Sequence, residues 1–185
     1  SYHPHRWQAI AEDKYTPFET FSDDDKFRIA IRKTLEIGGK IGKHFVEGLR
    51  YSQGTQACAN FRPGFALMIY KRFAPVNGVL LDTSTGYGGR LVGFLASSLS
   101  HYIGIDPNEV TYLGNLKLWN DLGSGKKVTL HKSPAEDVPH KLVAGRCDLA
   151  FTSPPYFRKE HYSDDSTQSW KRYETGEGWR DGFLR

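Results

Sequence analysis

The sequence predicts an α/β fold in which a helical N-terminal arm precedes an open parallel sheet of four strands. Three observations predict it. Short apolar runs that end in a polar residue recur from residue 78 onward, longer segments with a helical pattern separate them, and an amphipathic helix stands before them. Parallel neighbours in a sheet require long crossover connections, which are usually helices. The chain is therefore expected to build one core behind a helical arm.

Composition excludes several classes of protein. The 185 residues carry a net charge of +4 and 14% of them are aromatic, so the chain is mildly basic and rich enough in apolar side chains to fold. No apolar run approaches the ~20 residues of a bilayer span, and the N-terminus lacks the apolar stretch of a secretory signal. Cys58 and Cys147 are too few for a disulfide framework or a four-thiolate zinc site, so we expect a cytoplasmic protein without a metal.

The N-terminal arm is predicted to span residues 1–59 and to contain an amphipathic helix. Ser22 is the expected N-cap, and the three aspartates after it suit the positive end of a helix. Apolar residues then recur at three- and four-residue steps at Phe27, Ala30, Ile31 and Leu35. Gly38 and Gly39 supply a stop, so the spacing predicts a helix over 23–37.

The core is predicted over residues 60–157. Its first element is a helix over 65–73, with Pro63 at an early helical position. The predicted strands lie at 79–82, 102–106, 128–131 and 148–152. The crossover segments between them lie at 90–99, 108–122 and 135–143.

A glycine-rich segment, DTSTGYGGR, runs from Asp82 to Arg90, where the first core strand passes into a helix. We call it the glycine loop. Glycines allow the backbone to approach a ligand closely, and a helix N-terminus favours polar or anionic groups. A purely structural turn is the alternative. Leu91 stands where a dinucleotide fingerprint needs its third glycine, which argues against a dehydrogenase.

Asp106 ends the second predicted core strand. A carboxylate at the carboxyl end of a parallel strand accepts hydrogen bonds from both hydroxyls of a ribose. Taken alone, an Asp before Pro107 fits a helix cap equally well. Together with the glycine loop it favours a nucleoside-containing ligand, and because no P-loop with its Lys occurs, that ligand does not require phosphates.

The segment FTSPPYF from Phe151 to Phe157 follows the fourth predicted strand, and we call it the diproline loop. Consecutive prolines fix the backbone and remove two N–H donors, so the Ser153 hydroxyl and the main-chain carbonyls are held as acceptors. Tyr156 adds a flat face. Acceptors that bind the hydrogens of a nucleobase amine help it to attack an electrophile, and a stacked ring positions the base. A structural turn is again the alternative.

At this point the chain resembles the amino-methylating DNA methyltransferases that use S-adenosylmethionine. Phe151 to Tyr156 is similar to their catalytic motif in the form associated with cytosine N4 methylation, whereas adenine enzymes more often carry Asp or Asn where Ser153 stands. The start of the glycine loop resembles their first motif, and Asp106 resembles their ribose-binding acid. Arg62, which precedes the helix over 65–73, resembles a clamp for the methionine carboxylate.

The resemblance implies a Rossmann-like class I methyltransferase fold and S-adenosylmethionine as the cofactor. The catalytic residues that it implies are Ser153, Pro154, Pro155 and Tyr156. The cofactor-binding residues that it implies are Arg62, Asp82, Thr83, Ser84, Gly86, Gly88, Asp106 and Asp137. The family carries an acid after the third strand that holds the adenine of the cofactor. In this chain Ser133-Pro134-Ala135 stands at that place, and Glu136 and Asp137, which follow it, are the candidates. The order of the two motifs differs from that of many cytosine enzymes, so adenine N6 stays open as a target.

The family sheet has seven strands, whereas this chain supplies four, so we expect the domain to be truncated after the catalytic motif. An unpaired sheet edge invites pairing, and a second chain that completes the sheet is an expected partner beside DNA. Residues 158–185 are predicted as a charged, aromatic tail, either a nucleic-acid loop or ordinary helix core. The alternatives to a DNA methyltransferase are an RNA or protein amide methyltransferase, and a non-catalytic fragment or subunit that binds cofactor or DNA.

Overall fold

A computed structural model of the chain describes residues 2–12, 14–38, 40, 44–45, 47–49, 54–123, 125–143 and 145–183. The chain divides into two compact units. The one that we call the core unit contains the described residues of 1–3, 60–157 and 164–185, and the arm unit contains those of 4–59 and 158–163.

The elements are named in chain order. Strands lie at Ile10–Ala11 (β1), Val79–Asp82 (β2), His101–Asp106 (β3), Lys127–Lys132 (β4), Leu149–Ala150 (β5) and Glu160–His161 (β6). Helices lie at Pro17–Ser22 (α1), Asp24–Glu36 (α2), Pro63–Phe73 (α3), Gly89–Leu95 (α4), Glu109–Leu122 (α5), His140–Val143 (α6), Ser169–Arg172 (α7) and Gly176–Phe183 (α8). Short 3-10 turns occupy Pro4–Gln8 and Ala135–Asp137. None of the helices in the described part of the chain is both long and apolar enough to cross a bilayer.

In the arm unit, the helix predicted over 23–37 is confirmed as α2, but its N-cap is different. The Asp23 carboxylate accepts hydrogen bonds from the backbone N–H groups of Asp25 and Lys26, at 3.1 and 3.0 Å. Ser22, the predicted cap, is the last residue of α1. A carboxylate both accepts these bonds and complements the helix dipole, which explains the preference. Gly38 follows α2 with φ +72°, whereas Gly39 lies outside the described residues.

Helix α1 was not predicted, although its signal is in the sequence. Thr16 and Glu19 form a reciprocal capping box: the backbone N–H of Glu19 donates to the Thr16 hydroxyl, and the backbone N–H of Thr16 donates to the Glu19 carboxylate, at 3.1 and 2.7 Å. Pro17 occupies the first helical position, where no N–H is needed.

The core unit contains the predicted parallel sheet of four strands, in the order β4-β3-β2-β5. Strand β2 lies between β3 and β5, so Leu81 has Ile103 on one side and Ala150 on the other. The chain therefore builds outward from β2 to β4 and then returns to the other side of β2. In open α/β sheets, ligands bind at such a reversal, outside the carboxyl ends of the strands.

Helices α3 and α4 pack together beside the sheet, and glycine permits their close approach. A Cβ on Gly93 would lie 2.7 Å from the Cβ of Ala66. The buried core cluster comprises Ala66, Tyr70, Leu80, Leu91, Phe94, Leu99, Tyr102, Leu118 and Val128. Because this cluster lies against the strands, it fixes where the strand ends and their loops emerge.

The segment predicted as a tail is divided between the two units. Strand β6 pairs antiparallel with β1 in the arm unit, where Ile10 lies opposite His161. Residues after 163 belong to the core unit, where Arg172 forms an ion pair with Asp137 in the turn after β4. The crossover predicted over 135–143 is a 3-10 turn followed by the short helix α6, because Pro139 has no N–H to continue a single helix.

Candidate functional site

The candidate site lies at the carboxyl ends of β2, β3 and β5 in the core unit. The backbone N–H of Phe151 donates to the carbonyl of Leu81 at 2.9 Å, so the ladder between β5 and β2 continues up to the start of the diproline loop. The glycine loop leaves β2 one residue later. Neighbouring strands are about 4.8 Å apart, so the two loops emerge side by side at the point where the strand order reverses.

The glycine loop requires glycine at Gly86 and Gly88 for its backbone. Both have positive φ, +55° and +76°, and Gly88 is the N-cap of α4. A Cβ at Gly88 would lie 2.6 Å from Oδ1 of Asn115, so the loop also packs closely against α5. Among the described residues, a Cβ at Gly86 would meet only the Ser84 carbonyl, at 3.8 Å, so this face of the loop is open.

Three polar side chains hold the loop at Gly86, Tyr87 and Gly89, and two of them were not predicted. The N–H of Gly86 donates to Asp106, and the Gly86 carbonyl accepts from the Asn115 amide at 2.8 Å. The side-chain amide of Asn60 forms two hydrogen bonds with the backbone of the loop: it donates to the Tyr87 carbonyl and accepts from the Gly89 N–H. Asn60 and Asn115 belong to no motif that the sequence shows, and Asn115 lies on the buried face of α5 with Thr111 and Leu118.

Asp106 lies beside the loop with both carboxylate oxygens in use. Oδ2 accepts from Gly86 at 2.9 Å and Oδ1 from the backbone N–H of Asn108 at 3.0 Å. The cap of α5 is the Asn108 side chain, which accepts from Thr111, so Asp106 is not the cap itself. Burial raises the pKa of Asp106 to about 6, although both N–H bonds favour the charged form. Each oxygen keeps a second lone pair for a ligand hydroxyl.

Asp82 lies beneath the loop and is fully buried. Its Oδ2 accepts from the Tyr102 hydroxyl at 2.6 Å and from Nε of Arg90 at 2.7 Å. Its Oδ1 accepts from the backbone N–H of Ser84 at 3.2 Å. The side chain of Asp82 therefore supports the loop from inside the core. Thr83 and Ser84 are half-buried on the loop above it.

The diproline loop is anchored by Phe151, whose ring makes edge-to-face contacts with Phe61 and Tyr70, at centroid distances of 5.4 and 5.9 Å. Beyond this anchor, Ser153 and Tyr156 are exposed, and Tyr156 retains 65% of its accessible surface. Pro154 and Pro155 are half-buried between them. The loop thus has a packed base and an exposed tip that carries the predicted catalytic side chains.

Phe157 ends the diproline loop in a strained conformation. Its φ of +34° is unusual for a residue with a bulky side chain. Its ring lies 5.9 Å from that of Trp179, which in turn lies 5.6 Å from Phe183. Packing against α8 therefore accompanies the strained turn.

The two acids after β4 have different surroundings. Asp137 is exposed and forms a bidentate ion pair with Arg172, at 2.6 and 2.9 Å, which holds its pKa below the usual range. Glu136 accepts from the Tyr173 hydroxyl through Oε1, at 3.0 Å. Its Oε2 is buried, with no hydrogen-bond partner among the described residues. Nε of Arg172 also lies 3.5 Å from Oε1 of Glu136, so both acids pair with Arg172. Of the two, Glu136 keeps one oxygen, Oε2, without a described partner, whereas both oxygens of the predicted Asp137 are bound to Arg172.

Arg62 is exposed at the N-cap of α3, and its guanidinium lies 5.9 Å from the ring centroid of Phe65. No described hydrogen bond or ion pair joins its side chain to the glycine loop. Within the described ranges, no group of three or more His, Cys, Asp or Glu residues is arranged to hold a metal ion.

No family model and no curated protein matches this chain. Six chains of solved structures are similar to parts of it, among them the following two. One is described as a conserved hypothetical protein of Streptococcus pyogenes, with 25% identity and a TM-score of 0.41, over 48% of this chain and 56% of that one. The other is described as a modification subunit of a type I restriction enzyme from Vibrio vulnificus YJ016, with 16% identity and a TM-score of 0.42, over 77% of this chain and 30% of that one. The chain thus spans just over half of the first structure and under a third of the second.

Proposed function

We propose that the core unit binds S-adenosylmethionine and transfers its methyl group to the exocyclic amine of a DNA base, with cytosine N4 as the favoured target and adenine N6 as the second. The observation that carries this proposal is the position of the two loops. The glycine loop and the diproline loop leave paired neighbouring strands, β2 and β5, at the point where the strand order reverses. A donor bound at one loop is then adjacent to an acceptor bound at the other.

The residues around the glycine loop fit a nucleoside. The open face at Gly86 gives the ligand access to backbone, and Asp106 keeps lone pairs for ribose hydroxyls. The buried Oε2 of Glu136 is an acceptor of the kind that an adenine amine requires. We therefore assign the adenine contact to Glu136 in preference to Asp137, whose oxygens are bound to Arg172.

The bound cofactor would supply a methyl group on a positively charged sulfur, which is a good leaving group without metal or covalent catalysis. The residues of this chain would make the amine of the base more nucleophilic. The Ser153 hydroxyl and the Pro154 carbonyl would accept the two amine hydrogens, which localises the lone pair on nitrogen. Two prolines in a row leave no N–H of their own to occupy these acceptors. The amine lone pair would form the new N–C bond while the C–S electron pair stayed on the leaving sulfur, and the one proton lost from the methylated amine would pass to solvent at the exposed tip of the loop.

Tyr156 would stack on the target base after that base has turned out of the DNA duplex. In this structure, 65% of the surface of Tyr156 is exposed to solvent. Stacking fixes the plane of the base, so the amine and the methyl carbon meet in line, and positioning of this kind supplies much of the acceleration of a two-substrate reaction.

The experiment that tests the proposal is methyl transfer from tritium-labelled cofactor. The chain is incubated with duplex DNA, with RNA and with a mixed protein substrate, followed by base and amino-acid analysis. Label on N4-methylcytosine or N6-methyladenine in DNA supports the proposal. Label confined to RNA or to protein amides replaces it with the other methyltransferase class. Cofactor binding without transfer to any of the three leaves a non-catalytic subunit.

A further inference from the structure

Arg90 lies in the first turn of α4 and is 4% exposed. Its guanidinium donates from Nε to Oδ2 of Asp82 at 2.7 Å and from Nη2 to the carbonyl of Ser84. Its Cζ lies 5.6 Å from the ring centroid of Phe61. One planar group thus joins the end of strand β2 to the backbone of the glycine loop, and an aromatic ring lies over it.

The stability of the core does not explain this arrangement. Transfer of two charges from water into the interior is costly, and replacement of a buried ion pair by apolar side chains is often neutral or stabilising. What the pair provides is geometry. A guanidinium presents donors in a fixed fork, whereas an ammonium is a point charge on a flexible chain. Only the fork spans the Asp82 carboxylate and the Ser84 carbonyl together.

The loop is therefore held at four places. Arg90 and Asp82 bind it at Ser84, and the Ile105 carbonyl accepts from the N–H and the hydroxyl of Thr85. Asp106 and Asn115 bind it at Gly86, and Asn60 binds it at Tyr87 and Gly89. The Ser84 attachment is the one nearest the strand. Since the segment between Ser84 and Gly88 contains Gly86 in a left-handed conformation, loss of this attachment would let that segment sample other conformations.

We propose that Arg90 is a positioning residue for cofactor binding: through Asp82 and the Ser84 carbonyl it sets the conformation of the glycine loop. The link to the cofactor rests on the proposed function. The guanidinium is buried beneath the loop, so it would not touch the cofactor. It would instead raise the fraction of molecules in which the glycine loop has the conformation that binds the cofactor.

The test compares Arg90→Lys and Arg90→Met with Leu99→Ala. Lysine keeps a positive charge beside Asp82 but lacks the fork, and methionine removes the charge. Leu99 is a matched control because it is buried like Arg90 but lies just before β3, at the opposite end of the strands from the loop. Amide hydrogen exchange and calorimetry with S-adenosylmethionine are measured at a temperature where circular dichroism shows every variant folded.

We expect both Arg90 variants to increase exchange at the Thr85 and Gly86 amides about tenfold relative to the β3 amides, and to weaken cofactor binding about tenfold, as loss of a hydrogen bond to a charged group does. Leu99→Ala should change exchange in both regions by the same factor. If Arg90→Lys keeps the wild-type exchange ratio and affinity, the positioning role is overturned. If the wild-type chain itself binds no cofactor, the proposed function fails, while the exchange ratio still decides whether Arg90 sets the loop.

Discussion

The backbone N–H of Gly86 donates to Oδ2 of Asp106 across 2.9 Å, which joins the loop after one strand to the end of the next. The bond places a titratable carboxylate against a glycine of the loop that has a positive φ. Because burial raises the pKa of this carboxyl to about 6, the contact changes its protonation state near neutrality. The stability of the loop and its readiness to bind are therefore linked to pH.

The pH dependence of stability has a definite sign. The folded chain holds the Asp106 proton up to a pKa of about 6, whereas the unfolded chain releases it near 3.8. The folded state therefore binds more protons between these values, and the contribution of Asp106 to the free energy of unfolding falls as pH rises from 3.8 to about 6. Urea unfolding at several pH values should show this fall in the wild type and lose it in Asp106→Asn. An identical pH profile in the two proteins would contradict the assignment.

The packing of the glycine loop against α5 predicts a large cost for Gly88→Ala. Alanine at φ +76° costs about 1–2 kcal/mol from the backbone alone, and its Cβ would lie 2.6 Å from Oδ1 of Asn115. Gly125→Ala is the control, since Gly125 has φ +86° and, apart from its neighbours in the chain, no described residue has an atom within 4 Å of the added Cβ. The difference between the two variants in urea unfolding isolates the clash, which we expect to add about 1–3 kcal/mol. Equal destabilisation by Gly88→Ala and Gly125→Ala would mean that α5 moves away from the added methyl group at no cost in free energy.

The contrast between the two acids after β4 predicts different effects on cofactor affinity. Glu136→Gln replaces one carboxylate oxygen by an NH2 group, which cannot accept a hydrogen bond from the adenine amine. Affinity for S-adenosylmethionine should therefore fall about tenfold. Asp137→Asn removes the charge paired with Arg172 at the surface, where an exposed ion pair contributes about 0–1 kcal/mol, and should leave affinity within twofold. Calorimetry decides between them. A larger loss in Asp137→Asn would return the adenine contact to Asp137.

The exposed ring of Tyr156 predicts a loss of methyl transfer without a loss of stability. Tyr156→Ala removes the stacking surface, and base–aromatic stacking is worth about 1–3 kcal/mol, so transfer should fall about tenfold or more with little change in the midpoint of thermal unfolding. Phe73→Ala is a matched control, because Phe73 is also 65% exposed and ends α3, just before β2 begins. Transfer that survives Tyr156→Ala at the wild-type rate would remove the diproline loop from the mechanism.

Much of the fold was predictable because its signals are local. Apolar runs that end in a polar residue identified the four parallel strands, and helical spacing identified α2 and α3. The N-cap of α2 was misplaced by one residue because Ser22 and Asp23 are both good caps and only the preceding helix decides between them. The pairing of β1 with β6 was not predictable, because each strand is two residues long and carries no period.

The candidate site was predictable where it consists of motifs and not where it depends on packing. The glycine loop, Asp106 and the diproline loop were identified from residue type and their place after strands. The supports of the loop, Asn60, Arg90 and Asn115, come from three separate helices or loops and become neighbours only when the sheet forms. The occupation of Asp137 by Arg172 joins residues 35 apart in the chain, and no sequence spacing indicates it.

Chemical-shift mapping tests the central claim most directly. The 15N-labelled chain is titrated with S-adenosylmethionine, and its backbone amides are followed individually. We predict that the largest shifts fall on Gly86, Gly88 and Asp106, and on Thr152 and Ser153 of the diproline loop, while the amides of α1 and α2 keep their positions. Saturable shifts confined to other residues, or no shifts at all, would contradict a cofactor site at the carboxyl ends of β2 and β5.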